Sequence, residues 1–155
     1  EKFCDTREEL LADIHSLLGG KAAEQVVFAT TTNGVSSDLQ RATSIARSMV
    51  AQYGMSDELG VMAPVVYTNR YLDGGAQMDC SQDTAAKVDA AVQKLLSDAY
   101  AKAKQVLTEN RGLLDSIAEY LLQKETITGE ELMSFIHPPK AEEAPAEPPE
   151  EPNEE

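Results

Sequence analysis

Residues 30–54, TTTNGVSSDLQRATSIARSMVAQYG, constrain the fold more than any other stretch, because helix-start residues, a carboxylate and a long apolar stripe coincide there. Gly34 can turn the chain, and Ser36 or Ser37 can accept a hydrogen bond from a free N–H of the first helical turn. Ser37 with Gln40 matches the capping-box pattern and predicts an N-cap at Ser37. From there Leu39, Ala42, Ala46, Met49 and Tyr53 recur at spacings of three and four, and Ile45 and Val50 widen the stripe. That is the pattern of a helix buried along one face, with Gly54 as its stop. Asp38 falls in the first turn, at the edge of the face marked by Ala42, Ile45 and Met49, so its carboxylate can point inward. An acid at that position also simply complements the helix dipole, an effect of about 0.3–1 kcal/mol, and spacing alone leaves both readings open.

Four further segments carry helical spacing. Thr6 with Glu9 forms a capping box ahead of Leu10, Leu11, Ile14, Leu17 and Leu18, which predicts a helix over about 7–18. Gly19-Gly20 marks either a break or a close approach of another backbone, and the good helix formers of 21–28 let the helix resume or continue. From a Ser81 cap, Val88, Val92, Leu95, Ala99, Ala103 and Val106 mark one long helix. Asn110 ends it or caps the next, whose Leu113, Leu114, Ile117, Leu121 and Leu122 predict another buried face. Thr128 and Glu131 form a third capping box before Leu132, Phe135 and Ile136. Between these helices, Ser56–Leu59 reads as a turn, and Pro64 confines the apolar run 61–67 to an edge strand or an irregular extended segment. Residues 69–78 read as a loop or a poor hairpin. The fold class is therefore mainly α: a bundle of about five to six helices with a small irregular or β-hairpin region near 61–78.

The net charge of −14 is unevenly spread, since Ala141–Glu155 contains seven Glu and no basic residue. That tail has no aromatic or β-branched side chain to offset its ordering entropy, so 138–155 is predicted to be a disordered acidic Pro/Glu-rich extension. The thirteen Lys and Arg are scattered, which disfavours nucleic-acid binding. Cys4 and Cys80 lack metal-ligand spacing and read as free thiols in a reducing compartment; a zinc site built from Cys4, Cys80, His15 and His137 lacks the close ligand pair that such sites show. His15, alone at a helix edge, reads as a partly exposed polar residue. The paired acids Asp57-Glu58 and Glu130-Glu131 stand at helix starts, and Ser44 and Ser48 near Arg47 have no histidine for a triad. No stretch approaches the roughly 20 apolar residues of a membrane span, and the sequence has no Walker-type phosphate loop.

GVSSDLQRATSIARSMVAQYGMSDELG, residues 34–60, closely resembles the segment of FtsH-type AAA metalloproteases that supplies their third zinc ligand. Residues 17–28, LLGGKAAEQVVF, resemble that family's Leu-x-Gly-Gly-Arg-x-Ala-Glu-Glu helix, and Ser81–Ile136 its closing helices, so the likeness covers most of 6–136. The departures are Asn33 for the usual threonine, Lys21 for arginine, Ala29 for glycine, and Asp73 after Tyr71-Leu72 where the family has Phe-Leu-Gly. The resemblance implies that Asp38 is a zinc ligand and that residues 1–137 are the C-terminal portion of a peptidase domain. The other two ligands and the general base lie, in that family, in a His-Glu-x-x-His helix, and this sequence contains no such pattern.

What the resemblance implies is a membrane-anchored, ATP-dependent, homohexameric zinc protease that degrades unfolded or membrane proteins in protein quality control. Its peptidase domain faces the cytoplasm, its ATP site is on a motor domain outside this sequence, and this chain makes no direct membrane contact. The absence of an initial Met agrees with an excised piece of a longer protein. Without the zinc helix, the chain by itself is expected to be inactive and to bind zinc weakly. The alternative is a non-catalytic helical assembly module from a relative with a degenerate zinc site.

Overall fold

In the computed structural model, which describes residues 4–67 and 76–137, the apolar stripe of 36–51 becomes part of a three-helix core. Helix α1 spans Arg7–Phe28, α2 spans Ser36–Ala51 and α3 spans Gln82–Glu109. Of the loop or poor hairpin expected at 69–78, residues 69–75 lie outside the described residues, as does the expected disordered tail at 138–155. Two compact units divide the chain, residues 1–110 and 111–155.

In the first unit, Arg7 and Leu11 of α1 line one cleft with Val50 of α2 and Lys94 and Leu95 of α3. Leu18 and Lys21 line another with Leu39, Thr43, Leu96 and Tyr100. These neighbours make α1 and α2 antiparallel, with α3 running alongside α1 in the same direction. Ile14, Met49, Val50 and Val88 are fully buried where the helices meet, each contributing about 1.5–3 kcal/mol through removal of apolar surface from water. Leu18, Ala51 and Val92 belong to the same core, as do Ala42, Ala46, Ala91 and Ala99, whose small side chains let the helices approach closely.

Helix α1 runs unbroken through Gly19-Gly20. A Cβ at Gly19 would meet nothing, and one at Gly20 would only touch Val35 at 3.9 Å, so neither glycine is required by a close backbone. The expected capping box at Ser37 is corrected as well. A single 3-10 turn, Asn33–Val35, precedes α2, and the side-chain cap sits on Thr32, whose hydroxyl accepts from the Gly34 N–H at 3.2 Å. Tyr53 also departs from the stripe: α2 ends at Ala51, and Tyr53 is 51% exposed. Gly54, at φ +64°, reverses the chain so that the Met55 N–H reaches the Met49 carbonyl at 2.9 Å.

Past that reversal, Ser56 bridges to Gly60, and the loop is fastened on both sides. Arg7 Nε donates to the Met55 carbonyl at 3.3 Å, and Lys94 pairs with Glu58 at 3.0 Å. Strands β1 (Val65–Tyr67) and β2 (Ala76–Met78) form an antiparallel ladder with Val65 opposite Met78, in the region expected to be irregular or a hairpin. Pro64 directly precedes β1, where its missing N–H takes nothing from the ladder. Asn110 ends α3 by donating its side-chain amide to the Val106 carbonyl at 2.8 Å.

In the second unit, α4 spans Arg111–Lys124 and α5 spans Gly129–Ile136. Glu125, in the left-handed region at φ 60°, ends α4, and Thr128 with Glu131 forms the expected capping box. Tyr120 packs against Phe135 with ring centroids 5.3 Å apart, and Glu131 accepts from both Tyr120 and Lys124. The expected buried face of α4 is corrected: no residue of α4 or α5 is buried, with Leu121 42% and Leu122 83% exposed. Helices of 14 and 8 residues present too little surface to each other to enclose a stripe that wide.

Candidate metal-ligand site

The turn that carries Asp38 is fixed from three directions. The Thr32 N–H donates to Glu24 Oε2 at 2.8 Å and the Thr32 hydroxyl donates to Glu24 Oε1 at 2.7 Å, tying the end of α1 to the approach to α2. The same hydroxyl oxygen accepts from Gly34, so Thr32 is both anchor and cap. Val35 is buried and pins the 3-10 turn, and Ala42, one turn beyond Asp38, is fully buried in the core. The Thr32 backbone N–H, followed by its hydroxyl, holds the Glu24 carboxyl below the usual range, because both bonds favour the ionised acceptor.

Asp38 itself is half-buried, as its place at the edge of the stripe predicts. Among the described residues its carboxylate has no hydrogen bond or ion pair to another side chain, so its oxygens are available to a group outside the described chain. A catalytic zinc requires three protein ligands. Among the described residues no three His, Cys, Asp or Glu side chains are grouped to hold a metal ion, so Asp38 fits zinc only as one donor of a shared site.

The other sequence candidates are dispersed. Cys4 is exposed, Cys80 is half-buried, and both are free thiols. His15 is half-buried and lines the cleft of about 320 Å³ beside Arg7, Lys94 and Asp98. One acid of each pair has structural partners: Glu58 takes Lys94 and the Ser56 hydroxyl, and Glu131 closes a capping box and pairs with Lys124. Arg47, between the two candidate serines, pairs with Asp89 at 3.0 Å. Sequence reasoning missed Glu24 and Thr32. The signal was present in the Glu that closes the resembling Gly-Gly-Lys-x-Ala-Glu stretch, whose purpose only the fold reveals.

The model of a family described as Peptidase family M41 matches residues 1–135. This chain belongs to peptidase family M41. The M41 chain is 46% identical over 136 residues to the ATP-dependent zinc metalloprotease FtsH of Lancefieldella parvula, covering 88% of this chain and 21% of that protein. It is 45% identical over 137 residues to the protein of the same name from Clostridium perfringens, covering 88% and 19%. For the one from Thermotoga maritima the identity is 42% over 141 residues, covering 88% and 23%. The M41 chain thus spans about a fifth of the length of the curated relatives it matches. Among its described residues no helix is long and apolar enough to cross a membrane.

Proposed function

We propose that this chain supplies Asp38 as the third protein ligand of the zinc in an ATP-dependent zinc metalloprotease. Residues 1–137 then form the C-terminal portion of its peptidase domain, and 138–155 an acidic Pro/Glu-rich tail. The observation that carries the reading is the half-buried Asp38 carboxylate, without a partner among the described side chains, in a turn fastened to α1 through Glu24 and Thr32. Membership of family M41 and the likeness to ATP-dependent zinc metalloproteases support the same chemistry.

When bound, zinc lowers the pKa of a ligand water to near 7 and polarises a carbonyl oxygen. Asp38 brings one oxygen donor and one negative charge to that ion. Burial of Ala42 and Met49 beneath the helix fixes the direction from which the carboxylate arrives. The two imidazoles and the general base come from a His-Glu-x-x-His helix that this sequence does not contain. ATP acts on a motor domain elsewhere in the parent. The parent is read as a membrane-anchored homohexamer whose peptidase domain faces the cytoplasm and which degrades unfolded or membrane proteins.

The test is Asp38→Asn in the full-length parent, with casein hydrolysis and ATP hydrolysis measured together. Proteolysis should fall by orders of magnitude while ATP hydrolysis persists. Normal proteolysis by that variant would return the chain to the reading as a helical assembly module.

A further inference from the structure

We propose that Asn33 is a self-modification site: it deamidates through attack by the Gly34 backbone nitrogen, and the conversion dismantles the turn that carries Asp38. Of the four asparagines, Asn33 alone precedes a glycine; Asn69 and Asn110 precede arginine, and Asn153 precedes glutamate. A side chain on the following residue hinders that attack, and glycine has none. Asn33 and Gly34 are both exposed.

In that step the Gly34 nitrogen bonds to Asn33 Cγ as the bond from Cγ to the amide nitrogen breaks. The proton of the peptide nitrogen leaves with the amide group as ammonia, and a cyclic imide remains. Water then opens either carbonyl of the imide. One opening leaves an aspartyl residue, and the other leaves an isoaspartyl residue, in which the main chain runs through the side chain and is one carbon longer. Both products carry a new negative charge, and water is the sole co-reactant.

The fold holds this reaction back. Ring closure needs rotation about the Asn33 Cα–C bond and a free Gly34 nitrogen. In the 3-10 turn Asn33–Val35 the Ser36 N–H donates to the Asn33 carbonyl, and the Gly34 N–H donates to the Thr32 hydroxyl at 3.2 Å. Thr32 is in turn held by Glu24, and Val35 is buried. A Cβ at position 34 would stand 3.3 Å from Thr32 Oγ1, so the glycine that permits the attack is also the residue that lets the cap close. The rate is therefore set by how often the clasp opens. The isoaspartyl linkage lengthens the backbone inside the turn and so displaces Asp38; its consequence for a metal ligand rests on the proposed function.

Ageing of the 155-residue chain at mildly alkaline pH, followed by mass spectrometry of its tryptic peptides, tests the site, with Asn33 in the peptide 22–41. The amide-to-acid mass change should build up at Asn33 ahead of Asn69, Asn110 and Asn153, and the aged chain should lose amide-exchange protection at Gly34 and Ser36 with Val50 unchanged. Thr32→Val removes clasp and cap together and should raise the rate about tenfold, the scale of one lost hydrogen bond to a charged group. The comparison among asparagines in the unaltered chain stands whether or not that variant folds. Asn33→Thr, which installs the residue usual in the resembling FtsH-type segment, should abolish the mass change in the peptide. Conversion at Asn33 no faster than at the other three asparagines, or a rate indifferent to a folded Thr32→Val, would overturn the proposal. In the parent, proteolysis should fall in proportion to the converted fraction, and Asn33→Thr should prevent the fall. Conversion with proteolysis undiminished would overturn the link to Asp38, while Asp38→Asn reads the zinc assignment on its own, so the two failures are distinguishable.

Discussion

Glu24 accepts two hydrogen bonds from Thr32, one from its N–H at 2.8 Å and one from its hydroxyl at 2.7 Å, across a separation of eight residues. This clasp joins the last turns of α1 to the segment that leads into Asp38. It makes a residue with no expected chemistry responsible for the placement of the residue proposed as a zinc ligand.

Replacing Glu24 by Ala should therefore free the 30–35 segment while leaving the helical core intact. Amide exchange at Thr32 and Gly34 should accelerate, with Met49 and Val50 unchanged. The sign of the pH dependence follows from the lowered pKa of Glu24. The clasp contributes in full above the ordinary carboxyl value of 4.5 and is lost as pH falls through the lower value of the folded state. Carboxyl-carbon NMR should place the Glu24 midpoint below 4.5, and a midpoint at or above it would show that the clasp is absent in solution.

Ala29 gives a stability prediction of the opposite sign. It caps α1 at φ 52°, in the left-handed region where a Cβ crowds the following carbonyl. Ala29→Gly should stabilise the chain by about 1 kcal/mol, the relief of that crowding less the greater entropy of glycine in the unfolded chain. Ala29→Val should destabilise it. Urea denaturation measures both, and a loss of stability in the glycine variant would contradict the left-handed cap.

A third prediction concerns the α4–α5 hairpin, which is closed by Lys124, Tyr120 and Glu131. The Lys124 ammonium, then the Thr128 N–H, holds the Glu131 carboxyl down to about 2, and Glu131 in turn raises Lys124 above its ordinary value. The closure is complete above pH 4.5 and should be lost as pH falls from 4.5 towards about 2. Ring signals of Tyr120 and Phe135 should report this acid transition. In Glu131→Gln the transition should disappear, and the ring signals should already be altered at pH 7.

The helices were legible in the sequence wherever a capping side chain and an apolar stripe agreed. Thr6, Ser81 and Thr128 cap the helices expected of them. The start of α2 was misread because Ser37 and Gln40 satisfy a local pattern, while the fold caps the preceding 3-10 turn from Thr32 instead. Periodicity says which residues share a face and not whether anything covers that face. This is why the Leu121-Leu122 end of α4 was expected to be buried and is exposed. Asp38 was legible as a residue at the edge of a buried stripe. Its support was not, since Glu24 and Thr32 become neighbours only when α1 and α2 fold back on each other.

The last prediction separates the shape of Asp38 from its charge. Asparagine keeps the length of the side chain and removes the negative charge, and glutamate keeps the charge and advances it by one methylene. Neither change touches the core, so in this chain each should alter stability by at most about 1 kcal/mol, the scale of a helix-dipole interaction. Met49→Ala, which hollows a fully buried position one face below, should cost about 2–5 kcal/mol. In the parent the ranking should invert. Zinc–oxygen bonds tolerate only about 0.2 Å of error, and the clasped turn has little freedom to retreat, so Asp38→Glu should lose most proteolysis even though its charge is retained. A parent in which Asp38→Glu is active and Asp38→Asn is not would show that charge alone suffices and that the fastening through Glu24 and Thr32 serves stability. Two inactive variants with intact ATP hydrolysis and unchanged unfolding midpoints would show that position and charge are both required.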